Sequence, residues 1–197
     1  MVSDLLLAGA FVVAYLCGAI PMSNIVARAT KGVDLRSIGS GSVSPSNLYK
    51  VAGTWPTVVV GVFELSKGIV GPLLVGGGPT WRAALAGALA VAGHNWSPFL
   101  KGGGGRGLTT ATGALAVVVW PAAAIMCGGL VAGALSRRIY LAMSAALLAL
   151  LPAVTLIDGY PGAIACAVVV LPIGGKTAIV LYRRAKLKRA GGEERRA

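Results

Sequence analysis

The sequence predicts an all-α integral membrane protein folded as a single bundle of seven transmembrane segments. Three observations carry that expectation. Of 197 residues, 56% are hydrophobic and 12% charged, against about 25% charged in a soluble domain. The apolar residues fall in windows near the ~20 residues a helix needs to cross the hydrocarbon. The basic residues sit between those windows, and their distribution assigns a side to each connection.

The first window, 4–28, starts at Leu5 behind Asp4. It has neither a cationic leader region nor a small-residue cleavage site, so it reads as a retained span. A polar connection at 29–53 follows, and then the windows 54–77 and 80–98, joined by the glycine-rich turn "VGGGPT". Next come the short loop 99–108 and the windows 109–135, 138–155 and 159–182. Trp55, Trp81, Trp96 and Trp120 lie near segment ends, as an interfacial aromatic belt requires.

Charge decides the parity. The connection after the first window holds Arg28, Lys31, Arg36 and Lys50, and the loop at 99–108 holds Lys101 and Arg106. Arg137 and Arg138 come next, and Arg183, Arg184, Lys186, Lys188, Arg189, Arg195 and Arg196 lie beyond the last window. These four groups contribute four, two, two and seven, or fifteen of the 18 basic residues, and all reach the cytoplasmic side only if window 109–135 enters and leaves on one side. That window therefore divides into two short helices, about 109–120 and 121–135, with Pro121 favouring the break. The result is seven segments, N-terminus outside and C-terminus inside: a membrane domain over 1–182 and a basic cytoplasmic tail over 183–197.

The net charge of +12 does not signal nucleic acid, because the cations flank hydrophobic spans and no recognition helix or RNA-binding signature is present. Membrane lipids with anionic headgroups and a phosphorylated substrate account for it. Cys17, Cys127 and Cys166 lie in apolar segments without metal-ligand spacing. No metal or cofactor is called for.

Two loops on the cytoplasmic side carry chemistry. The first, "SIGSGSVSPSNLYKVAG", concentrates Ser40, Ser46, Asn47 and Lys50 among glycines, an assembly of hydroxyl, amide and cationic donors for phosphate oxygens. By itself it is equally a polar turn. The second, "LKGGGGRGLTTATG", places Gly104, Gly105, Gly107 and Thr110 around Arg106. Glycines without Cβ let consecutive N–H groups close around an anion, while the same loop would also serve as a flexible connector that sets topology.

Nucleophilic machinery is scarce. His94 is the one histidine, and pairing it with Asp34 would need two distant loops without any nucleophile-elbow signature. Chemistry here rests on positioning anions and neutralising charge, which suits a substrate that is already activated. Within the second window, Glu64 and Lys67 stand three apart on one helix face. They form either an internal polar site that includes Lys67 or a structural ion pair.

These motifs resemble those of the PlsY family, bacterial membrane acyltransferases that move a fatty acyl group from acyl-phosphate to glycerol 3-phosphate. The run from Gly39 to Asn47, followed by Lys50, is similar to the family's Gly-Ser-Gly-Asn-x-Gly-Ala-Thr-Asn and Arg. Ser42, Ser44 and Pro45 stand where the family has Asn, Gly and Ala. Gly93-His94 and the run Gly103 to Thr110 resemble Gly-His ahead of Lys-Gly-Gly-Lys-Gly-x-Ala-Thr, with Gly103 in place of a lysine. "ELSKG" at Glu64–Gly68 resembles the family's acidic-x-x-Lys-Gly segment, and of the third motif only "GGEE" at Gly191–Glu194 is matched.

The resemblance implies the same seven-segment fold and a phosphate-handling site. Arg106, Lys50 and Ser40 would hold the acceptor's phosphate, and Ser46, Asn47 and the second loop's N–H groups would hold the acyl-phosphate end. Lys67, His94 and Thr110 complete the substrate-binding set. Lysophosphatidate and phosphate would be the products, formed at the cytoplasmic face of the bacterial inner membrane. A diverged membrane protein, non-catalytic or differently specific, that binds an anionic lipid or phosphate ester is the alternative.

Overall fold

Helices begin and end here where prolines, glycines and polar residues interrupt the apolar windows. The computed structural model describes residues 2–193, and its regular elements are helical. Helix α1 (Val2–Ala19) stops at Ile20–Pro21, and α2 (Met22–Lys31) follows at once. The expected first window, 4–28, is therefore broken. Pro21 brings no N–H to the ladder, and its backbone (φ −88°, ψ 63°) turns the chain out of the helix. Helix α2 is amphipathic, burying Ser23, Asn24 and Ala27.

After α2 come a 3₁₀ turn at Leu35–Ser37, the short helix α3 (Pro45–Ala52) and the long apolar helix α4 (Thr54–Leu74). Helix α5 (Trp81–Asn95) is capped by Thr80, whose hydroxyl accepts from the N–H of Ala83. A 3₁₀ turn at Pro98–Leu100 leads into the glycine loop. The window at 109–135 divides into α6 (Leu108–Val118) and α7 (Trp120–Leu135), with the break at Val119. Pro121 sits in the first turn of α7, where a missing N–H costs nothing. The proline thus starts a helix next to the expected break.

Helix α8 (Ile139–Glu193) contains a non-helical residue, Gly159, at φ 69° and ψ −169°. The chain doubles back there. Tyr140, Met143, Ser144 and Leu147 on the first limb line one cavity with Ile173 and Thr177 on the second, and a Cβ on Gly162 would touch Val154. Left-handed φ is open to glycine at no steric cost, which allows so tight a reversal. Of the expected tail, 183–193 continue α8, and 194–197, with Glu194, Arg195 and Arg196, lie outside the described residues.

Three stretches are long and apolar enough to cross a membrane: Ser3–Lys31, Thr54–Leu74 and Ile139–Arg183. Helices α6 and α7 are shorter apolar elements. Large apolar side chains such as Leu135, Leu148 and Leu156 are more than three-quarters exposed, a surface suited to lipid contact. The interior is dominated instead by alanine, glycine and valine, with a few leucines and methionines such as Leu115, Met126 and Leu150. Lipid is as apolar as leucine, so helices associate through close packing of small residues. Gly18 lies against the carbonyl of Ala90 and Gly93 against that of Tyr15, bringing α1 onto α5. Gly68 against Thr110 and Gly113 against Leu65 do the same for α4 and α6. The N–H of Gly78 donates to Val117 O, so the end of α6 meets the α4–α5 connection, away from the glycine loop.

Candidate functional site

The break at Pro21 leaves carbonyls at the end of α1 without helical partners. Two side chains take them up: Ser97 Oγ donates to Ala19 O at 2.6 Å, and Lys67 Nζ donates to Ile20 O at 2.9 Å. Both acceptor residues line a narrow crevice, together with Pro21, Val43, His94, Ser97, Leu100 and Gly104. Val43 belongs to the first loop and Gly104 to the second. The two loops that the sequence singles out thus meet in space.

One hydrogen bond and one close backbone approach join them. Arg36 Nη1 reaches Leu100 O at 3.4 Å, and a Cβ on Gly105 would lie 2.6 Å from Val43 O. Arg36 is held in turn by Asp34, which also pairs with Arg28. The Arg36 guanidinium and backbone N–H push the Asp34 carboxyl well below the usual carboxylate range, and Asp34 raises Arg36 in return. Asp34 is therefore engaged within its own loop and does not meet His94.

Asn47 is buried, and its amide Nδ2 donates to the carbonyls of Leu35, Ile38 and Ser42 at 3.2, 3.0 and 3.1 Å. It staples the first loop from inside. Ser40 is exposed and lies near the N–H of Ser42 (3.4 Å), while Ser46 Oγ is 3.2 Å from Ser44 Oγ. Lys50 is exposed at the end of α3.

In the second loop, Ser97 and Gly103 form an isolated bridge, and the N–H groups of Lys101, Gly102 and Gly103 bond back to Pro98, Ser97 and Leu100. From Gly104 the pattern changes. Among the described residues, no hydrogen bond takes the N–H groups from Gly104 through Thr110, the first α6 bond being Ala111 N–H to Gly107 O. Gly107, left-handed at φ 72°, is the N-cap and offers no side chain. A run of unpartnered N–H groups therefore ends at the positive end of a helix dipole, a combination suited to an anion.

Arg106 is half-buried with its guanidinium 4.9 Å above the ring of Tyr140, beside a cavity of about 100 Å³. No ion pair or hydrogen bond joins it to Ser40 or Lys50 among the described residues.

Beneath the crevice lies a buried polar cluster. Glu64 Oε2 is 2.8 Å from Lys67 Nζ and 2.9 Å from His94 Nδ1, and it accepts from Thr110 Oγ1 at 3.1 Å. The sequence showed the Glu64–Lys67 pair but not the meeting with His94 and Thr110. The signal lay in polar residues standing alone within apolar windows, which seek one another inside a bundle. Sequence reasoning also missed Ser97 and Asn95. Asn95 Nδ2 donates to Pro172 O at 2.8 Å, and Asn95 O accepts from Lys176 Nζ at 2.6 Å, clamping the end of α5 to α8.

A family model described as glycerol-3-phosphate acyltransferase matches residues 8–190. The chain belongs to that family. Glycerol-3-phosphate acyltransferase 4 of Dehalococcoides mccartyi (strain CBDB1) is 47% identical over 62 residues, covering 32% of this chain and 27% of that protein. The glycerol-3-phosphate acyltransferase of Levilactobacillus brevis is 41% identical over 68 residues, 34% of this chain and 33% of that protein. The chain thus spans about a third or less of the length of these curated relatives. A crystal structure of PlsY (YgiH), an integral membrane glycerol 3-phosphate acyltransferase, in its glycerol 3-phosphate form superposes with TM-score 0.74 at 27% identity, covering 95% of this chain and 92% of that one. The lysophosphatidic acid form gives 0.75 at 25% identity, covering 91% and 92%. The acyltransferase family fold accordingly extends over nearly the whole of the described structure.

Proposed function

We propose that the protein transfers a fatty acyl group from acyl-phosphate to the primary hydroxyl of glycerol 3-phosphate, releasing lysophosphatidate and inorganic phosphate. One observation carries the reading most directly: the unpartnered N–H groups from Gly104 to Thr110, running into the uncapped N-terminus of α6 where the two loops touch. Family membership and likeness to the PlsY structures support the same activity.

The acceptor hydroxyl oxygen attacks the acyl carbonyl carbon, the bond from that carbon to the phosphate oxygen breaks, and the proton passes to a phosphate oxygen. Acyl-phosphate is a mixed anhydride with a good leaving group, so the chain's work is to bring two anions together and offset their repulsion. The N–H groups of Gly104, Gly105 and Gly107 and the Arg106 charge serve phosphate, and Ser40, Ser46 and Lys50 are the first loop's contribution to the same task. Asn47, Lys67, His94 and Thr110 stand behind this layer, since their polar groups are engaged with the protein.

The reading includes seven membrane segments, N-terminus outside and C-terminus inside, a membrane domain over 1–182 and a cytoplasmic tail over 183–197. The reversal at Gly159 and the break at Val119 support that count. The basic loops support an active face on the cytoplasmic side of the bacterial inner membrane, among anionic lipids.

Purified protein supplied with acyl-phosphate and glycerol 3-phosphate should release phosphate and form lysophosphatidate. Absence of release across a range of acyl lengths would overturn the reading. The sparse third motif, matched only by Gly191–Glu194, motivates one alternative, a phosphate-ester or anionic-lipid binder. It predicts saturable glycerol 3-phosphate or phosphatidate binding that depends on Arg106, with no turnover.

A further inference from the structure

We infer that Glu64, Lys67, His94 and Thr110 are positioning residues that set the height of the glycine loop above the crevice, with Glu64 Oε2 as the shared anchor. This rests on the reading that the loop binds phosphate.

Three donors converge on that one oxygen, and each comes from a different helix: Lys67 from α4, His94 from α5 and Thr110 from α6. Lys67, at 2.8 Å, also donates to Ile20 O, which lines the crevice at the α1–α2 break. His94, at 2.9 Å through Nδ1, lies directly beneath Gly105. A Cβ on Gly105 would collide with His94 Nε2, so ring and loop are in contact. Thr110, at 3.1 Å, is in the first turn of α6, where the run of unpartnered N–H groups ends.

Holding helices together does not by itself require this cluster. Helices α4 and α6 already touch backbone to backbone at Gly68 and Gly113, and replacing a buried ion pair by apolar groups is often neutral or stabilising. What an apolar filling cannot do is hold three surfaces at fixed hydrogen-bond distances from one atom. The cluster is also closed: Glu64 and Thr110 are 1% and 0% exposed, and Lys67 and His94 6% and 8%. Of the four, only His94 reaches the crevice lining, and the atoms that meet at Glu64 Oε2 are enclosed, so the cluster acts on phosphate through the loop it holds.

The test compares Thr110→Val, which removes the hydroxyl at constant shape, with Thr110→Ser, which keeps it. Thr112→Val is the control, because the Thr112 hydroxyl bonds only Leu108 O of its own helix. Loss of one hydrogen bond to a charged group is worth on the order of tenfold. Thr110→Val should accordingly raise KM for glycerol 3-phosphate ~10-fold, with kcat within about twofold. Thr110→Ser should restore the wild-type KM, and Thr112→Val should leave it unchanged. Glu64→Gln should raise KM in the same sense, and it carries the test if Thr110→Val does not fold.

The Kd for glycerol 3-phosphate measured without acyl donor should rise by the same factor. An unchanged KM and Kd in Thr110→Val, or a loss shared equally by Thr112→Val, overturns the inference. If wild-type protein binds glycerol 3-phosphate but never turns over, the acyl-transfer reading falls and the Kd ratios still decide the positioning role. If it binds neither glycerol 3-phosphate nor inorganic phosphate, both fall.

Discussion

Replacing Gly104 by alanine tests the glycine loop most directly. Gly104 has no left-handed φ, so the obstacle is space and not backbone conformation. An added Cβ would run into the carbonyl oxygen of His94 and lie 2.6 Å from that of Asn95. Both are backbone atoms in the last turn of α5, which is itself held by Glu64 through His94 and by Pro172 and Lys176 through Asn95. Ordinary contact begins near 3.4 Å, so relief at Asn95 alone requires a shift of about 0.8 Å, the difference between 3.4 and 2.6 Å. Overpacking of this kind costs about 1–3 kcal/mol. A displacement near 1 Å in a reacting geometry costs about 10²-fold.

Gly104→Ala should therefore lower kcat/KM for phosphate release by about 100-fold, with net charge and membrane topology unchanged. Steady-state phosphate release from purified protein measures the first, and cysteine accessibility in intact membranes measures the second. If the loop only connects two spans, Gly104→Ala is silent. Wild-type turnover and glycerol 3-phosphate affinity in both Gly104→Ala and Arg106→Ala would remove the loop from the site.

Other expectations follow from the same geometry. Arg106→Ala should raise KM for glycerol 3-phosphate by about 10- to 100-fold, since it removes a charge-assisted bond worth about 1.5–3 kcal/mol, and Arg106→Lys should recover part of the loss as a point charge. Asn47→Asp should destabilise the first loop as much as Asn47→Ala, because it turns an oxygen toward the carbonyls of Leu35, Ile38 and Ser42; lower melting temperatures for both variants in detergent check this. The contribution of Asp34 to stability has a defined pH window. Its pKa is depressed in the fold by Arg36, so the stabilisation is fully present above the unfolded carboxylate value near ~3.9 and is lost as pH falls through the folded value. Thermal unfolding of Asp34→Asn against wild type should show a constant difference from pH 7 to pH 5 that shrinks only under more acid conditions.

The sequence alone determined the membrane class, the approximate positions of most apolar helices, the division of the window at 109–135 and the order of the two glycine- and hydroxyl-rich loops, but not the break of the first window at Pro21. These follow from local quantities: mean apolarity over a helical length, the missing N–H of proline, the absence of Cβ in glycine and the sidedness of cations. The partners of those residues were decided by the tertiary structure. Glu64 and Lys67 are one helical turn apart and could be paired by counting, whereas His94 and Thr110 reach the same carboxylate from 30 and 46 residues away, and only the packing of α5 and α6 on α4 brings them there. Asn47, read as a donor to phosphate, turns inward because the loop's own carbonyls must be satisfied once buried. Arg106 lies over Tyr140 because the reversal at Gly159 delivers both limbs of α8 to the glycine loop. Periodicity and charge act along the chain, while hydrogen-bond satisfaction acts across it, and its outcome depends on which backbones the small residues allow to touch.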